Sequence, residues 1–350
     1  MPDALFLIGE PTFGSYVDQT GDPIRGVNAV SQQDGQARIE LRELGATRGL
    51  SETLEGAYKP QGSISASVRP GEVGLLLRSA MGTVTKSTPS GGTAARDHVF
   101  DIDDDAVVHT LSAQLQQSRM GTTEALNLRG LVVDQLTLSV AAEQESRLSV
   151  NYLAVEEKMP GTAFDNGNVS PAAVAVAYAA QIAPLTFDSV KIYYGGTATK
   201  DGTTKRYTLA GAGTLVNVEN VEIVLSNNMS HRIFLDSKYA GTFHQGDREP
   251  TCSFTLDNET PHVDFYEKHS LVTQEPLQIL IEGTEIETGF NYALEITFPN
   301  FDYGDVPWGE LMGSNAERTI QIAGRGLVWD TEDEDINLRL RDGDDTGYDW

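Results

Sequence analysis

A single cysteine, Cys252, stands in 350 residues, so no disulfide can close within the chain and no cysteine-based zinc site can be built. Cys252 alternates with Phe254 and Leu256, the pattern of a small buried hydrophobe rather than a nucleophile. Histidine is scarce too, with six residues and no HxH, HExxH or CxxH spacing among them. His262 and His269 lie two helical turns apart, and a lone pair of that kind reads as a surface or interface feature before it reads as a metal site. Basic charge is short: 25 Lys and Arg oppose 51 Asp and Glu, a net −26. Without clustered cations such a surface cannot hold a polyanion tightly. Only eight of the basic residues are lysine, and an acid-rich, lysine-poor surface stays soluble at high salt, so a salt-loving host is one expectation. Long apolar runs are missing. The longest, over 172–183, falls short of the ~20 residues that span a bilayer. The first ten residues lack the basic start and apolar stretch of a signal peptide, so the chain reads as soluble and made in the cytoplasm. There is no Gly-x-Ser-x-Gly elbow and no candidate triad. The glycines at 195–196 and 211–213 sit at strand ends with no Lys-Ser/Thr after them, as turn glycines do and phosphate cradles do not. The sequence predicts no catalytic residue, no metal and no cofactor.

Period-two alternation is what the chain has in abundance. Leu136, Leu138 and Val140 share one face, and Thr137 and Ser139 the other. After the polar turn 141–146 the pattern resumes at Leu148, Val150 and Tyr152, predicting a hairpin with one dry and one wet face. A second hairpin is expected to pair 191–194 with 206–209 around Asp201-Gly202. Further strands are expected over 219–226, 231–236, 251–257, 277–282, 291–298 and 318–329. Two short helices interrupt them. Over 72–81, Val73, Leu76, Leu77 and Ala80 recur at helical spacing. Over 262–271, Thr260 suits the N-cap and Pro261 the first turn, with Val263, Tyr266 and Ser270 expected to face inward.

Each helix follows a strand (63–68, 251–257) and precedes an amphipathic strand pair. The chain therefore reads as all-β with short helices: two β-sandwich or barrel modules, each with one flanking α-helix, plus extended loops and a C-terminal arm. The expected boundaries are 1–160, a linker over 161–185, 186–329, and an acidic arm over 330–350. That arm carries nine carboxylates and two arginines from position 329 on. A segment of this composition stays disordered unless it docks, yet 337–341 alternates like a strand. Docking on another copy of the chain is the simplest expectation. The carboxylate clusters Asp101, Asp103, Asp104, Asp105 and Asp342, Asp344, Asp349 lack the terminal Glu of a calcium loop and read as solvated acidic loops.

Several segments carry a resemblance. These are Leu7-Ile-Gly-Glu-Pro-Thr-Phe-Gly14 followed by Pro23, the Pro-Gly-helix run through Gly71 to Gly82 ending in Met-Gly, and Asp97-His-Val-Phe100. The fourth is Arg129-Gly-Leu-Val-Val-Asp-Gln-Leu-Thr-Leu-Ser-Val140. Together they resemble siphophage major tail tube proteins, well over 1–160 and by pattern beyond it, in the larger form with two modules per chain. The resemblance implies a structural virion protein, not an enzyme. Its rings stack into a tail tube through which DNA passes, with trimers imitating a six-fold ring and strand edges pairing into one closed barrel. Implied partners are other copies of the chain, the tape measure protein, and tail terminator and distal tail proteins. DNA passes transiently, no membrane is entered, and assembly occurs in the host cytoplasm before the protein resides in the virion tail. Thr137, Ser139, Ser149, Glu222 and Glu295 are candidates to line the lumen. Asp101, Asp103, Asp104, Asp105, Asp330, Leu338, Leu340, Tyr348 and Trp350 are candidates for contacts between subunits. The rival readings are another tail component (terminator, distal tail or spike protein) and a cell-surface carbohydrate-binding β-sandwich using Tyr303, Trp308, Tyr348 and Trp350.

Overall fold

The computed structural model describes residues 4–17, 23–24, 26–33, 35–41, 52–102, 108–119, 122–158, 164, 182–215, 218–257, 262–306, 319–328, 334–344 and 348. The first half contains β1 (Ala4–Gly9), β2 (Val27–Gln33), β3 (Gln36–Leu41), β4 (Glu52–Tyr58), β5 (Gln61–Ser67), α1 (Gly74–Met81), β6 (Gly82–Ser87) and β7 (Arg96–Ile102). It continues with β8 (Leu111–Arg119), β9 (Thr122–Ala141), β10 (Arg147–Leu153) and β11 (Glu156–Lys158). The second half contains β12 (Val190–Tyr194), β13 (Thr197–Lys200), β14 (Tyr207–Ala210), β15 (Gly213–Leu215), β16 (Val218–Ser226), β17 (Ser230–Ile233) and β18 (Ala240–His244). After these come β19 (Glu249–Asp257), α2 (His262–Ser270), β20 (Gln274–Glu287), β21 (Phe290–Asp305), β22 (Thr319–Gly326) and β23 (Asn337–Asp342). The fold is all-β with two short α-helices among the described residues. None of the described helices is long and apolar enough to cross a membrane.

All the ladders are antiparallel, and two long strands organise them. The C-terminal half of β9 lies in a sheet ordered β2–β5–β10–β9–β16–β19–β22, which ends on the last residues of β21. The N-terminal half of β9 instead pairs β8 and β11, and β8 pairs β1. The N-terminal half of β21 lies in another sheet, ordered β6–β7–β23–β21–β20–β12–β15. Because side chains alternate along each strand, residues paired across a ladder share a face. In the first sheet Ala66, Leu148, Leu138, Ile223 and Cys252 form one such row. All five are buried, and Leu148, Leu138, Ile223 and Cys252 belong to an apolar cluster that draws on both halves of the chain. Leu294, Ile296 and Leu338 of the other sheet close on this face with Leu77 of α1, leaving a void of about 10 Å³.

The expected hairpin 136–152 forms as β9 and β10 with Leu136, Leu138 and Val140 buried, and Val73, Leu76, Leu77 and Ala80 of the first helix face the core. Three expectations are corrected. Strand 191–194 does not pair with 206–209: Gly195 and Gly196 turn the chain with φ of 69° and 79°, so β12 joins β20 and β15 while β13 and β14 make the hairpin around Asp201-Gly202. In α2 the buried aromatic is Phe265, and Tyr266 and Ser270 are exposed. The phase is one residue away from that expected; Thr260, Pro261 and the Val263 side chain lie outside the described residues. The third concerns the acidic end. Residues 337–342 are an inner strand, seated between β21 and β7 of the same chain.

Candidate functional site

The wet face of the first sheet is patterned row by row. One row across it reads Ala29, Ser65, Ser149, Thr137, Val224, Thr251, Arg325. The next reads Ser67, Arg147, Ser139, Glu222, Ser253, Ala323, and a third Ser31, Ser63, Asn151, Gln135, Ser226, Glu249. Hydroxyls and amides dominate and bond to one another across strands. The Ser31 and Ser63 hydroxyls are 2.8 Å apart, and Asn151 Nδ2 donates to Gln135 Oε1 at 2.9 Å. Four of the five lumen candidates, Thr137, Ser139, Ser149 and Glu222, sit together here on three adjacent strands. Over the seven strands β2 to β22 its charges cancel, Arg147 and Arg325 against Glu222 and Glu249, and the end of β21 adds Asp302 opposite Arg325 and Asp305 opposite Ala323.

Glu295, the fifth lumen candidate, is elsewhere, and the wet-face expectation for it is corrected. It lies on β21 with its carboxylate buried, because the second sheet is covered on both faces. Arg206 Nε and Nη2 donate to it at 3.1 and 3.0 Å, and Arg339 Nη2 at 2.5 Å. Arg339 also donates to Asp97 at 3.0 Å, and Arg341 holds both oxygens of Asp97 at 2.7 and 3.0 Å. Burial alone would raise the Glu295 and Asp97 carboxyls, but the arginines around them outweigh it and hold both below the ordinary range. This lattice clasps β23 from one side. From the other, Leu338 and Leu340 enter the apolar core, where burial stabilises by roughly 1.5–3 kcal/mol each.

The remaining contact candidates follow β23 inward. Leu338, Leu340 and Tyr348 are buried within their own chain, so the expectation that they reach a neighbour is corrected. The Tyr348 ring packs on His98 at 4.9 Å between centroids, its hydroxyl donates to Asp342 at 2.5 Å, and its carbonyl accepts from Arg78. Asp101 is also buried and accepts from Asn337 Nδ2 at 2.7 Å. Burial and the neighbouring Glu334 raise its carboxyl to about 7, with Lys200 opposing them. Asp103, Asp104, Asp105, Asp330 and Trp350 lie outside the described residues. Sequence reading missed His98, Asp97 and Arg206 because their partners are distant in the chain. The carbohydrate-binding alternative loses two of its four aromatics, since Tyr303 and Tyr348 are buried; Trp308 and Trp350 lie outside the described residues.

No curated protein matches the chain. The sequence profile described as phage tail tube protein matches residues 4–325. That match spans β1 to nearly the end of β22 and both parts of the hydroxyl-rich sheet, and over this extent it places the chain in the phage tail tube protein family.

Proposed function

We propose that the chain polymerises into stacked rings that form the tail tube, and that the hydroxyl- and amide-rich sheet face lines the channel through which viral DNA leaves. The observation that carries this reading is the continuity of that face. It runs without a break from β2 to β22, across both halves of the chain, over eight strands counting the end of β21. At ~4.8 Å per strand this is about 38 Å of wall, and three copies give a circumference of about 115 Å. Closing it removes exposed edges from the sheet. A wall without clustered cations gives phosphates little to hold.

A trimer suffices on this reading because each chain holds two modules, 1–160 and 186–329, whose main strands correspond, with β23 just beyond the second. β1 pairs β8 as β12 pairs β20, and β2–β5–β10–β9 repeats as β16–β19–β22–β21. β11 and β23 lie alike against the N-terminal halves of β9 and β21. Bulges recur in register: Val27/Ala29 with Val218/Asn220, and Leu111/Ala113 with Glu275/Leu277. Independent folds have no reason to share the sites of such irregularities. The β6–β7 hairpin is then an insertion in the first module, and β13, β14 and β15 are one in the second. Tape measure, terminator and distal tail proteins are the proposed partners of the finished tube, which assembles in the host cytoplasm. Negative-stain microscopy of purified chain over a concentration series tests the reading. Rings or tubes with a central pore are expected, and a monomer at every concentration overturns it.

A further inference from the structure

We infer that β2 and the paired strands β3 and β4 are the docking arm between copies, and that they seat on the end of β21 and the end of α2 of the next copy. The inference rests on the two-module reading and adds to it the surface, the occupant and the direction of the contact. Its template is inside the chain. β16 pairs on both sides, with β19 and with β9, whereas its counterpart β2 pairs only with β5 among the described strands. Just past β16, Asn227 Nδ2 donates to the carbonyls of Ala80 at 2.9 Å and Val133 at 3.2 Å. The Met229 amide donates to Asp134 at 2.6 Å. The β17–β18 hairpin that follows lays Phe243 on Val132, Leu153 and Val155 of the first module. One module's second strand and hairpin thus already cover the other module's face.

The same face of the second module has no such cover among the described residues, and it is apolar where the template says it should be. Ala80 and Met81 at the end of α1 are 5% and 3% exposed, while Leu271 and Val272 past the end of α2 are 70% and 68% exposed. Val272 also holds φ at 53°, a strained conformation for a β-branched residue, and such strain gathers where a site is held for use. The proposed arm carries the complementary surface: Ile39 and Leu54, paired across its hairpin, are 51% and 43% exposed. A second copy of the chain is the occupant, since only its β2 and hairpin reproduce the β16–β18 shape. The contact is head to tail, and such contacts close into rings when the rotation permits.

Two variants test it: Ile39→Asp with Leu54→Asp on the arm, and Leu271→Asp with Val272→Asp on the receiving face. All four positions are exposed in the protomer, so each variant should keep the wild-type circular dichroism spectrum and melting curve. Each alone is expected to sediment as a monomer, with self-association weakened on the order of 100-fold. Mixed together, they retain one intact contact and are expected to form a 1:1 dimer that grows no further. Wild-type-like rings from either variant, or a mixture that stays monomeric while the wild type forms rings, overturn the docking arm alone. A wild-type chain that never forms rings overturns the ring reading as well.

Discussion

Replacing Arg339 by methionine should destabilise the protomer by about 2–4 kcal/mol at neutral pH. Among the described residues Arg339 is the only side chain that touches both buried carboxylates, Glu295 at 2.5 Å and Asp97 at 3.0 Å. Stripping the sole partner from a buried charge costs about 3–5 kcal/mol. Here the loss is smaller, because Arg206 remains on Glu295 and Arg341 on Asp97. Methionine preserves most of the apolar stem, so the loss reports charge pairing rather than a cavity. The pH dependence adds a second signature. Both carboxyls are held below their ordinary values, so the stability they contribute is present above roughly pH 4 and is lost as pH falls through their lower folded values. The gap between wild type and variant should therefore be widest near neutrality and shrink in acid. Urea unfolding followed by far-ultraviolet circular dichroism, at concentrations that keep the chain monomeric, reads both. A change below about 0.5 kcal/mol at pH 7 would mean that β23 is not enclosed by its own chain, and the arm between copies would return.

Two further substitutions probe the same end of the chain. A Cβ at Gly74 would stand 2.1 Å from the Tyr348 ring, so Gly74→Ala should cost about 1–3 kcal/mol by overpacking. Without that ring it should instead gain up to about 1 kcal/mol from helix propensity, and the sign of the melting shift decides between them. Asp101 behaves oppositely to Glu295. Its carboxyl is raised to about 7, so the stability tied to its protonated form is full below its ordinary pKa and lost as pH rises through about 7. Asp101→Asn should thus gain on the wild type in denaturant stability between pH 5 and 8, and a loss over that range would refute the burial argument.

What could be read in advance followed from local pattern. The β9–β10 hairpin was legible because Leu136, Leu138 and Val140 alternate with Thr137 and Ser139 on a sheet that has one dry and one wet face. The inward face of α1 was legible from the spacing of Val73, Leu76, Leu77 and Ala80. The same rule misplaced Glu295. Flanked by Leu294 and Ile296, it has the signature of a wet-face residue, yet its strand is covered on both sides. β23 failed for a related reason. Leu338 and Leu340 alternating with Arg339 and Arg341 look like an amphipathic arm, and what buries the arginines is Asp97, more than 240 residues away. Alternation measures polarity, and a buried ion-pair lattice is polar. The missed pairing of β12 turned on Gly195 and Gly196, whose left-handed backbone ended the strand before it could continue into the expected hairpin.

The acidity of the chain and the character of the proposed channel wall separate on the structure. Net charge is −26 over the chain, yet the three rows of the wet face carry two arginines against two glutamates, with only Asp302 and Asp305 added on the end of β21, so this sheet offers phosphate no more than a weakly negative wall. It offers the lack of grouped cations, and that makes its function sensitive to adding them. Ser149→Lys with Ser139→Lys would place two new cations beside Arg147, since Arg147 pairs directly with Ser139 and Ser149 follows it by two on the same face. Repeated around and along a tube, such triplets should bind duplex DNA, with affinity falling in salt by a log–log slope of about 0.9 per phosphate neutralised. The variant positions are partly or fully solvent-exposed in the protomer, so folding and ring assembly should persist. Assembled tubes of the variant should retain short duplexes that wild-type tubes release, with the DNA inside the pore in electron micrographs. Duplexes decorating the outside of the tube, or tubes that bind no more DNA than the wild type, would place this face somewhere other than the channel.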